Sequence, residues 1–280
     1  MARARTASSV ALWILLLVVV LAWPLPRRAA AQQATAPACS ITWVDQEPQI
    51  EAYLKTAAIQ RIDEVPVGVT KPKHAYFDAG GPVASAAWKP LPTRFQNGFL
   101  ESYKAELAAY AIDKLLGLNR VPPAVERNVN GQEGAIVLWV EGVKAWDVKN
   151  PVQGPDPLAW DHEIAKMKMF DQLIANIDRN QGNLLYDADY HIILIDHSRA
   201  FTRTKDLKRM AQLGRVDRPL WDRMLALDAA SLQTAIGQWY GKKEIEAILQ
   251  RRDEMKAGIE ARLKNADPRA VFLPELPAKQ

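Results

Sequence analysis

The sequence predicts an α+β fold with two lobes, a small strand-rich lobe followed by a helical lobe. Between about residues 75 and 140, short β-prone runs alternate with Gly and Pro turns, whereas from residue 159 onward apolar residues recur at helical spacing. We therefore place the strand-rich lobe at 50–140, the helical lobe at 141–266 and a C-terminal tail at 267–280.

The N-terminal segment 1–31 has the three parts of a secretory signal peptide. Arg3 and Arg5 precede an apolar run at 10–23, and residues 29–31 are three alanines that offer a cleavage site. The run has 14 residues, fewer than the roughly 20 that a membrane-spanning helix needs. We expect export to the periplasm, the extracellular space or a secretory lumen, with 10–23 as a membrane tether if cleavage does not occur.

The charge of the chain without its signal segment argues against nucleic-acid binding. The full sequence has 36 basic and 32 acidic residues, and residues 1–31 contain four of the basic ones and none of the acidic ones. The remainder carries 32 of each and is neutral, so it has no electrostatic basis for binding nucleic acid. The single cysteine, Cys39, excludes a disulfide framework within the chain.

Several elements of the strand-rich lobe follow from local patterns. Residues 32–48 are rich in Gln, Ala, Thr and Pro and predict a flexible lead-in. A β-prone stretch at 75–90 contains a Gly-Gly-Pro turn in its middle. Apolar residues at three- and four-residue spacing predict a helix at 99–116, and the run at 134–140 predicts a buried strand.

The helical lobe begins with one long helix and contains one hairpin. Residues 159–177 show an apolar helical face that includes Ile177. Two short strands follow at 183–186 and 191–195, with Asp-Ala-Asp as the turn between them. From about residue 220 the chain is predicted to be helical to residue 264.

Three polar side chains at this hairpin predict a phosphoryl-transfer site. Asp178 follows the long helix, Asn183 comes five residues later, and Asp196 ends the second strand thirteen residues after that. Because a hairpin of this length brings its far end back beside its beginning, we expect the three side chains to converge. Phosphoryl transfer uses such a set: one carboxylate orients the attacking hydroxyl, while an amide oxygen and a second carboxylate hold Mg²⁺.

A lysine and a glutamate earlier in the chain complete the pattern. Lys89 ends the β-prone stretch, and Glu106 lies on the helix that follows it. In phosphotransferases of this kind, a strand lysine contacts the nucleotide phosphates and a helix glutamate holds that lysine. The order of lysine strand, glutamate helix, apolar strand, polar loop and hairpin therefore favours one nucleotide site.

Each of these residues also has a simpler structural interpretation. Asp178 can end its helix and cap a loop, Asp196 can cap a short turn, and Lys89 can be an edge-strand lysine that prevents aggregation. The interpretation of Glu106 depends entirely on that of Lys89. The functional interpretation is favoured because all of the residues occur in one consistent order.

Five segments contain these residues and their neighbours: FDAGGPVASAAWKP, ELAAYAIDKLLGLNRVPP, GAIVLWVEG, DQLIANIDRNQGNLL and IILIDHSRAF. Together they resemble the atypical kinases related to phosphatidylinositol 3/4-kinases, a group that includes the secretory-pathway (Golgi) protein kinases, the spore-coat kinases and the bacterial persistence-toxin kinases. The resemblance spans residues 70–260. It implies a two-lobed protein-kinase-like fold with a nucleotide in the cleft between the lobes.

The resemblance also implies a role for each candidate residue. Lys89 would contact the phosphates of ATP, Glu106 would hold Lys89, and Asp178 would be the catalytic base. Asn183 and Asp196 would bind Mg²⁺ or Mn²⁺. The strand that resembles the adenine-binding hinge and the turn that resembles the phosphate loop contribute Leu138, Trp139, Val140, Gly81 and Ser85.

The expected activity is transfer of the γ-phosphoryl group of metal-bound ATP to a hydroxyl acceptor. The sequence leaves that acceptor open among a protein, a lipid and a small molecule. Transfer of AMP is a related possibility, because the same residues can hold ATP in the reverse direction. The alternative is a catalytically silent pseudokinase that binds nucleotide or acts as a scaffold, which Asn180 and the pair His197-Ser198 favour because they stand where kinases carry other residues.

Overall fold

The computed structural model describes residues 43–66, 72–96, 98–147, 149–204 and 213–277. The predicted signal peptide, the tether segment 10–23 and Cys39 lie outside these residues, so they stay predictions. Among the helices of the described segments, none combines the length and the apolar character that crossing a membrane would require.

The described chain contains ten strands and seven α-helices, and both kinds of element are needed for the predicted α+β fold. The strands are β1 (Arg61–Glu64), β2 (Lys73–Tyr76), β3 (Ser85–Lys89), β4 (Arg94–Gln96), β5 (Phe99–Glu101), β6 (Ala124–Val129), β7 (Gln132–Leu138), β8 (Lys144–Ala145), β9 (Leu184–Tyr186) and β10 (Ile192–Leu194). The helices are α1 (Glu47–Thr56), α2 (Tyr103–Leu116), α3 (Pro157–Ile174), α4 (Arg218–Leu225), α5 (Ala229–Ile236), α6 (Lys242–Asn265) and α7 (Pro268–Val271).

A five-stranded antiparallel sheet forms the strand-rich lobe, in the order β1-β2-β3-β7-β6. Side chains alternate between the faces of a strand, so in β3 Trp88 packs with the α1 residues while Lys89 points to the side of α2. Gly134 of β7 permits this arrangement, because a Cβ there would lie 2.6 Å from the backbone oxygen of Lys89. The sheet therefore delivers one lysine to the inner side of the lobe.

Helix α2 begins four residues later than predicted. Ser102 caps its N-terminus by accepting a hydrogen bond from Lys104 N, and Gly117 ends it in the left-handed conformation with φ of 55°. Residues 99–101, predicted to be helical, instead form β5 and pair with β4 in a two-stranded hairpin. The prediction was wrong there because the helical spacing of apolar residues continues across the cap.

Helix α3 supports the polar loop that follows it. Asp156 caps its start, and its C-terminal turn buries Met169, Phe170 and Leu173 completely. The helix ends at Ile174, followed by a C-cap at Ala175 with φ of 52°, rather than at residue 177 as predicted. Ile177, predicted to belong to the apolar face, is 41% exposed because it lies in the loop beyond that end.

Both predicted boundaries of the folded domain need correction. The lead-in was predicted to reach residue 48, but Trp43 is fully buried and α1 begins at Glu47. The tail predicted at 267–280 contains α7, and its Phe272 is buried and bridges to Val216. In both places, apolar side chains within polar, Pro-containing sequence pack into the core.

A buried ion pair joins the lobes. Arg120, which follows α2, donates from Nε and Nη2 to the two carboxylate oxygens of Glu163 on α3, both at 2.6 Å. The same carboxylate accepts from Ile192 N at 3.1 Å. Burial would raise the pKa of Glu163, but the hydrogen bonds and charge of Arg120 outweigh burial and lower the pKa to about 2.

We expect Glu163→Gln to lower the free energy of unfolding by about 3–5 kcal/mol at pH 7, because Arg120 would stay buried without its partner charge. The folded-state pKa lies below the usual 4.5, so the stabilisation is present above that value and is lost as the pH falls towards 2. Urea titrations at pH 7 and pH 3 measure this. The loss of unfolding free energy caused by the substitution should be smaller at pH 3 than at pH 7. An equal loss at both pH values would contradict this role of the ion pair.

The matched control is Glu246→Gln. Glu246 forms an exposed ion pair with Lys242 at 3.7 Å, and the two side chains are 52% and 85% exposed. Because exposed pairs contribute about 0–1 kcal/mol, this variant should unfold at nearly the wild-type urea concentration at both pH values.

Candidate functional site

Lys89 lies at the centre of the candidate site. Its Nζ is 2.6 Å from Glu106 Oε1 on α2 and 3.1 Å from Asp196 Oδ1, in the turn after β10. The lysine and glutamate side chains are 9% and 4% exposed, whereas that of Asp196 is 23% exposed. The structure thus joins three predicted residues from three separate elements into one lysine cluster, defined as Lys89, Glu106 and Asp196.

Lys89 and Glu106 keep their charges although both side chains are buried. Burial would lower the pKa of Lys89, but the carboxylates of Asp196 and Glu106 outweigh burial and raise the pKa above its usual value. Burial would likewise raise the pKa of Glu106, yet the ammonium of Lys89 and hydrogen bonding from His197 lower it. The site therefore presents a fixed cation beside a partly exposed carboxylate.

The backbone at Asp196 aims its carboxylate into the site. Asp196 has φ of 59°, a left-handed conformation that few residues other than glycine adopt. The following amide, His197 N, donates to both oxygens of Glu106 at 3.1 Å, and Ser198 Oγ donates to Asp196 Oδ1 at 3.2 Å. These contacts hold the turn in place and explain why the unusual backbone conformation is retained.

The loop after α3 is held mainly by Arg179. Its Nε and Nη2 donate to the two oxygens of Asp171 at 2.9 Å, and its Nη1 donates to the backbone oxygens of Asn183 and Ile195 at 2.8 and 2.7 Å. Nη2 also lies 2.9 Å from Nε2 of the fully buried His197. One guanidinium thus joins the loop, the start of β9 and the end of β10.

Asp178 and Asn183 occupy the two ends of this loop. The Asn183 amide nitrogen donates to the backbone oxygen of Asp178 at 3.0 Å, which leaves the amide oxygen as the atom available to a cation. Asp178 Oδ2 accepts from Arg199 Nη1 at 2.9 Å, and the Asp178 side chain is 31% exposed. The two residues are joined by this backbone contact, and the convergence of their side chains with that of Asp196 stays a prediction.

No protein-family model matches this sequence. Protein Rv2133c of Mycobacterium tuberculosis is 26% identical over an alignment of 162 positions, which covers 47% of this chain and 58% of that protein. The chain thus spans less than two thirds of the length of this curated relative.

Solved structures share the architecture across most of the chain. The Golgi casein kinase with Mn/ADP bound superposes with a TM-score of 0.63 at 15% identity, over 82% of this chain and 79% of that one. Hydra Fam20 with sugar superposes with a TM-score of 0.64 at 17% identity, over 81% and 92% of the two chains. The chain has the fold of the Golgi casein kinase. The predicted two-lobed kinase-like fold is therefore confirmed.

The predicted hinge begins at Leu138, the last residue of β7, in this kinase fold. Leu138 N donates to Pro123 O at 2.8 Å, and Trp139 N donates to Ser85 O at 3.1 Å. The Trp139 ring stacks on His74, with centroids 3.9 Å apart, and Val140 is 9% exposed. Since two of the amides are used within the sheet, an adenine ring would have to pair with carbonyl groups or with the Val140 amide. The hinge assignment stays a prediction.

The predicted phosphate loop lies between β2 and β3. Gly81 N donates to Asp78 O at 3.2 Å, and a Cβ on Gly81 would lie 2.0 Å from the Tyr53 hydroxyl oxygen of α1. Ser85 is 3% exposed and begins β3. A side chain at 81 would therefore displace the Tyr53 ring, and a phosphate contact by Gly81 or Ser85 stays a prediction.

Three further residues shape the site and were missed from the sequence: Arg179, Arg199 and Glu101. Arg199 lies three residues after Asp196, so its position beside a predicted metal ligand was a usable signal. Glu101 gave no such signal, because it was assigned to the interior of a helix.

Two features lie apart from the predicted residues. Asp187, Asp189 and His191 have potential metal-ligand atoms within 4.8 Å of one another, but Asp187 already accepts from the backbone amides of both others at 2.9 Å in the β9–β10 turn. A cavity of about 650 Å³ lies beside α2, lined by residues that include Tyr110 and Trp239. None of the predicted site residues lines that cavity.

Proposed function

We propose that the protein is an ATP-dependent phosphotransferase that transfers the γ-phosphoryl group to a hydroxyl acceptor. The observation that carries the proposal is the lysine cluster, in which Lys89 contacts Glu106 at 2.6 Å and Asp196 at 3.1 Å within a kinase fold. A buried ammonium and a partly exposed carboxylate at one point suit a metal-bound polyphosphate, since both charges are preorganised there.

The donor atoms at the site fit a hard divalent cation. The Asp196 carboxylate and the Asn183 amide oxygen are ligands of the kind that Mg²⁺ and Mn²⁺ prefer. A structural neighbour binds Mn and ADP, which supports the use of a metal-bound nucleotide here. The metal would neutralise charge on the phosphates, while Asp196 and Asn183 would fix its place in the cleft.

The remaining residues divide the chemistry. Lys89 would bind the non-transferred phosphates, with Glu106 fixing its position. Asp178 would accept the proton of the acceptor hydroxyl as that oxygen bonds to the γ-phosphorus and the bond to the β-phosphate oxygen breaks, releasing ADP. Asp178 is the most exposed of the four charged side chains, at 31%, as an acceptor from outside requires.

Where the enzyme acts and what it phosphorylates belong to the proposal as well. The signal-like segment 1–31 supports export, with the apolar run at 10–23 as an anchor if it is retained. The acceptor belongs to one of three classes, protein, lipid or small molecule, each presenting a hydroxyl group to Asp178.

The full chain should convert ATP to ADP in the presence of MnCl₂ or MgCl₂. Label from γ-labelled ATP should appear on the protein or on an added acceptor, whereas label transferred only from α-labelled ATP would show AMP transfer instead. A thermal shift with ATP and Mn²⁺ but without turnover would favour the silent pseudokinase. No thermal shift and no turnover would contradict a nucleotide site.

A further inference from the structure

Arg199 connects the candidate base to the strand-rich lobe. Its Nη1 donates to Asp178 Oδ2 at 2.9 Å, while Nε and Nη2 donate to Glu101 Oε1 at 2.9 and 2.7 Å. The guanidinium carbon lies 4.3 Å above the centre of the Phe99 ring. One planar group therefore contacts the loop after α3 on one side and strand β5 on the other.

The Glu101 side of this contact is buried. The Glu101 side chain is 2% exposed and the Arg199 side chain is 10% exposed, against 31% for Asp178. Next to it, Ser102 N donates to Ser198 O at 2.9 Å, so backbone and side chain both join β5 to the segment after Asp196. Glu101, the buried partner, thus holds the arginine, and Nη1 of the arginine contacts the more exposed Asp178.

Glu101 also lies directly before the helix that carries Glu106. Ser102 caps α2, and Glu106 is in the first turn of that helix. Glu106 fixes Lys89, while Glu101 fixes Arg199 and through it Asp178. The start of α2 therefore controls the position of both the phosphate-binding cation and the proton acceptor.

We infer that Arg199 is a positioning residue that aligns the Asp178 carboxylate for catalysis, because its guanidinium bridges that carboxylate to Glu101. The inference rests on the proposed phosphotransferase function. The requirement for arginine is geometric, because a guanidinium donates in several fixed directions within one plane, whereas a lysine ammonium is a single point charge on a flexible stem. Lysine at 199 keeps the charge but reaches only one of the two carboxylates.

The test compares Arg199→Lys, Glu101→Gln and the double variant with wild type. A carboxylate displaced by about 1 Å costs about 10²-fold in rate, so each single variant should lower kcat by about 10–100-fold. KM for ATP should change less than about twofold, because the lysine cluster is untouched. Since both substitutions break one linkage, the double variant should be no slower than the slower single variant.

Hydrogen exchange provides a readout that does not need turnover. Both single variants should speed amide exchange in residues 175–183 and leave exchange in α2 and α6 at wild-type rates. The matched control is Arg215→Lys, because Arg215 pairs with the exposed Asp161 at 2.7 Å and touches none of these groups. It should change neither kcat nor exchange.

The results of these experiments distinguish a failure of the positioning role from a failure of the proposed phosphotransferase function. Three results would overturn the positioning role. They are losses in kcat that add up in the double variant, a rise in KM for ATP as large as the fall in kcat, and faster amide exchange throughout the chain. Unchanged exchange in 175–183 would overturn it as well. If wild type shows no turnover, the proposed function fails, and the exchange result alone decides whether Arg199 fixes the loop.

Discussion

Asp178→Asn should lower kcat for phosphoryl transfer by about 10²–10⁴-fold, because an amide cannot accept the proton that the acceptor hydroxyl loses. The affinity for ATP and metal should stay near the wild-type value, since Lys89, Asn183 and Asp196 are unchanged. The substitution is nearly isosteric at a side chain that is 31% exposed, so it should cost little stability. Single-turnover kinetics with saturating ATP and Mn²⁺ measures the loss at the chemical step.

Asp222→Asn is the control for this variant, since Asp222 lies on the exposed surface of α4. It should turn over at the wild-type rate. Turnover of Asp178→Asn within a few-fold of wild type would contradict the role of Asp178 as the base. A large loss of ATP affinity with unchanged kcat would instead assign Asp178 to nucleotide binding.

Lys89→Met should reduce kcat/KM for ATP by at least about 10²-fold, because it removes a preorganised cation from the phosphates. It should also lower the free energy of unfolding by about 3–5 kcal/mol, because Glu106, 4% exposed, loses the ammonium 2.6 Å away. Thermal melting and steady-state kinetics on the same preparation measure the two effects together.

The double variant Lys89→Met, Glu106→Gln separates folding from function. Replacing the stranded carboxylate by a neutral amide should recover much of the lost stability, since a buried unpaired charge is then avoided. The activity should stay as low as in Lys89→Met. Recovery of activity together with stability would show that Lys89 serves the fold and not the phosphates.

The sequence was sufficient to single out the three members of the lysine cluster because they lie at the ends of strongly patterned elements. Lys89 ends an apolar strand, Glu106 sits one turn into an amphipathic helix, and Asp196 follows four aliphatic residues. The resemblance to known motifs implied the contact of Lys89 with Glu106, which is 2.6 Å in the structure, whereas the 3.1 Å contact of Lys89 with Asp196 was not predicted.

Local sequence patterns did not predict the features that depend on tertiary contacts. Strand β6 carries Glu126, Arg127 and Asn128, so its polarity hides a strand at the sheet edge. The contact of Glu101 with Arg199 joins residues 98 positions apart, and the sequence pattern around neither residue predicts this contact. Trp43 lies in a polar lead-in, and only the packing of α1 shows why it is buried.

Diffraction from crystals grown with Mn²⁺ and a non-hydrolysable ATP analogue tests the central claim most directly. We expect an anomalous peak for a manganese ion bound by oxygens of Asp196 and Asn183, with Lys89 Nζ within hydrogen-bond distance of a phosphate oxygen. A nucleotide bound away from the lysine cluster, or manganese found only at the β9–β10 turn, would contradict it.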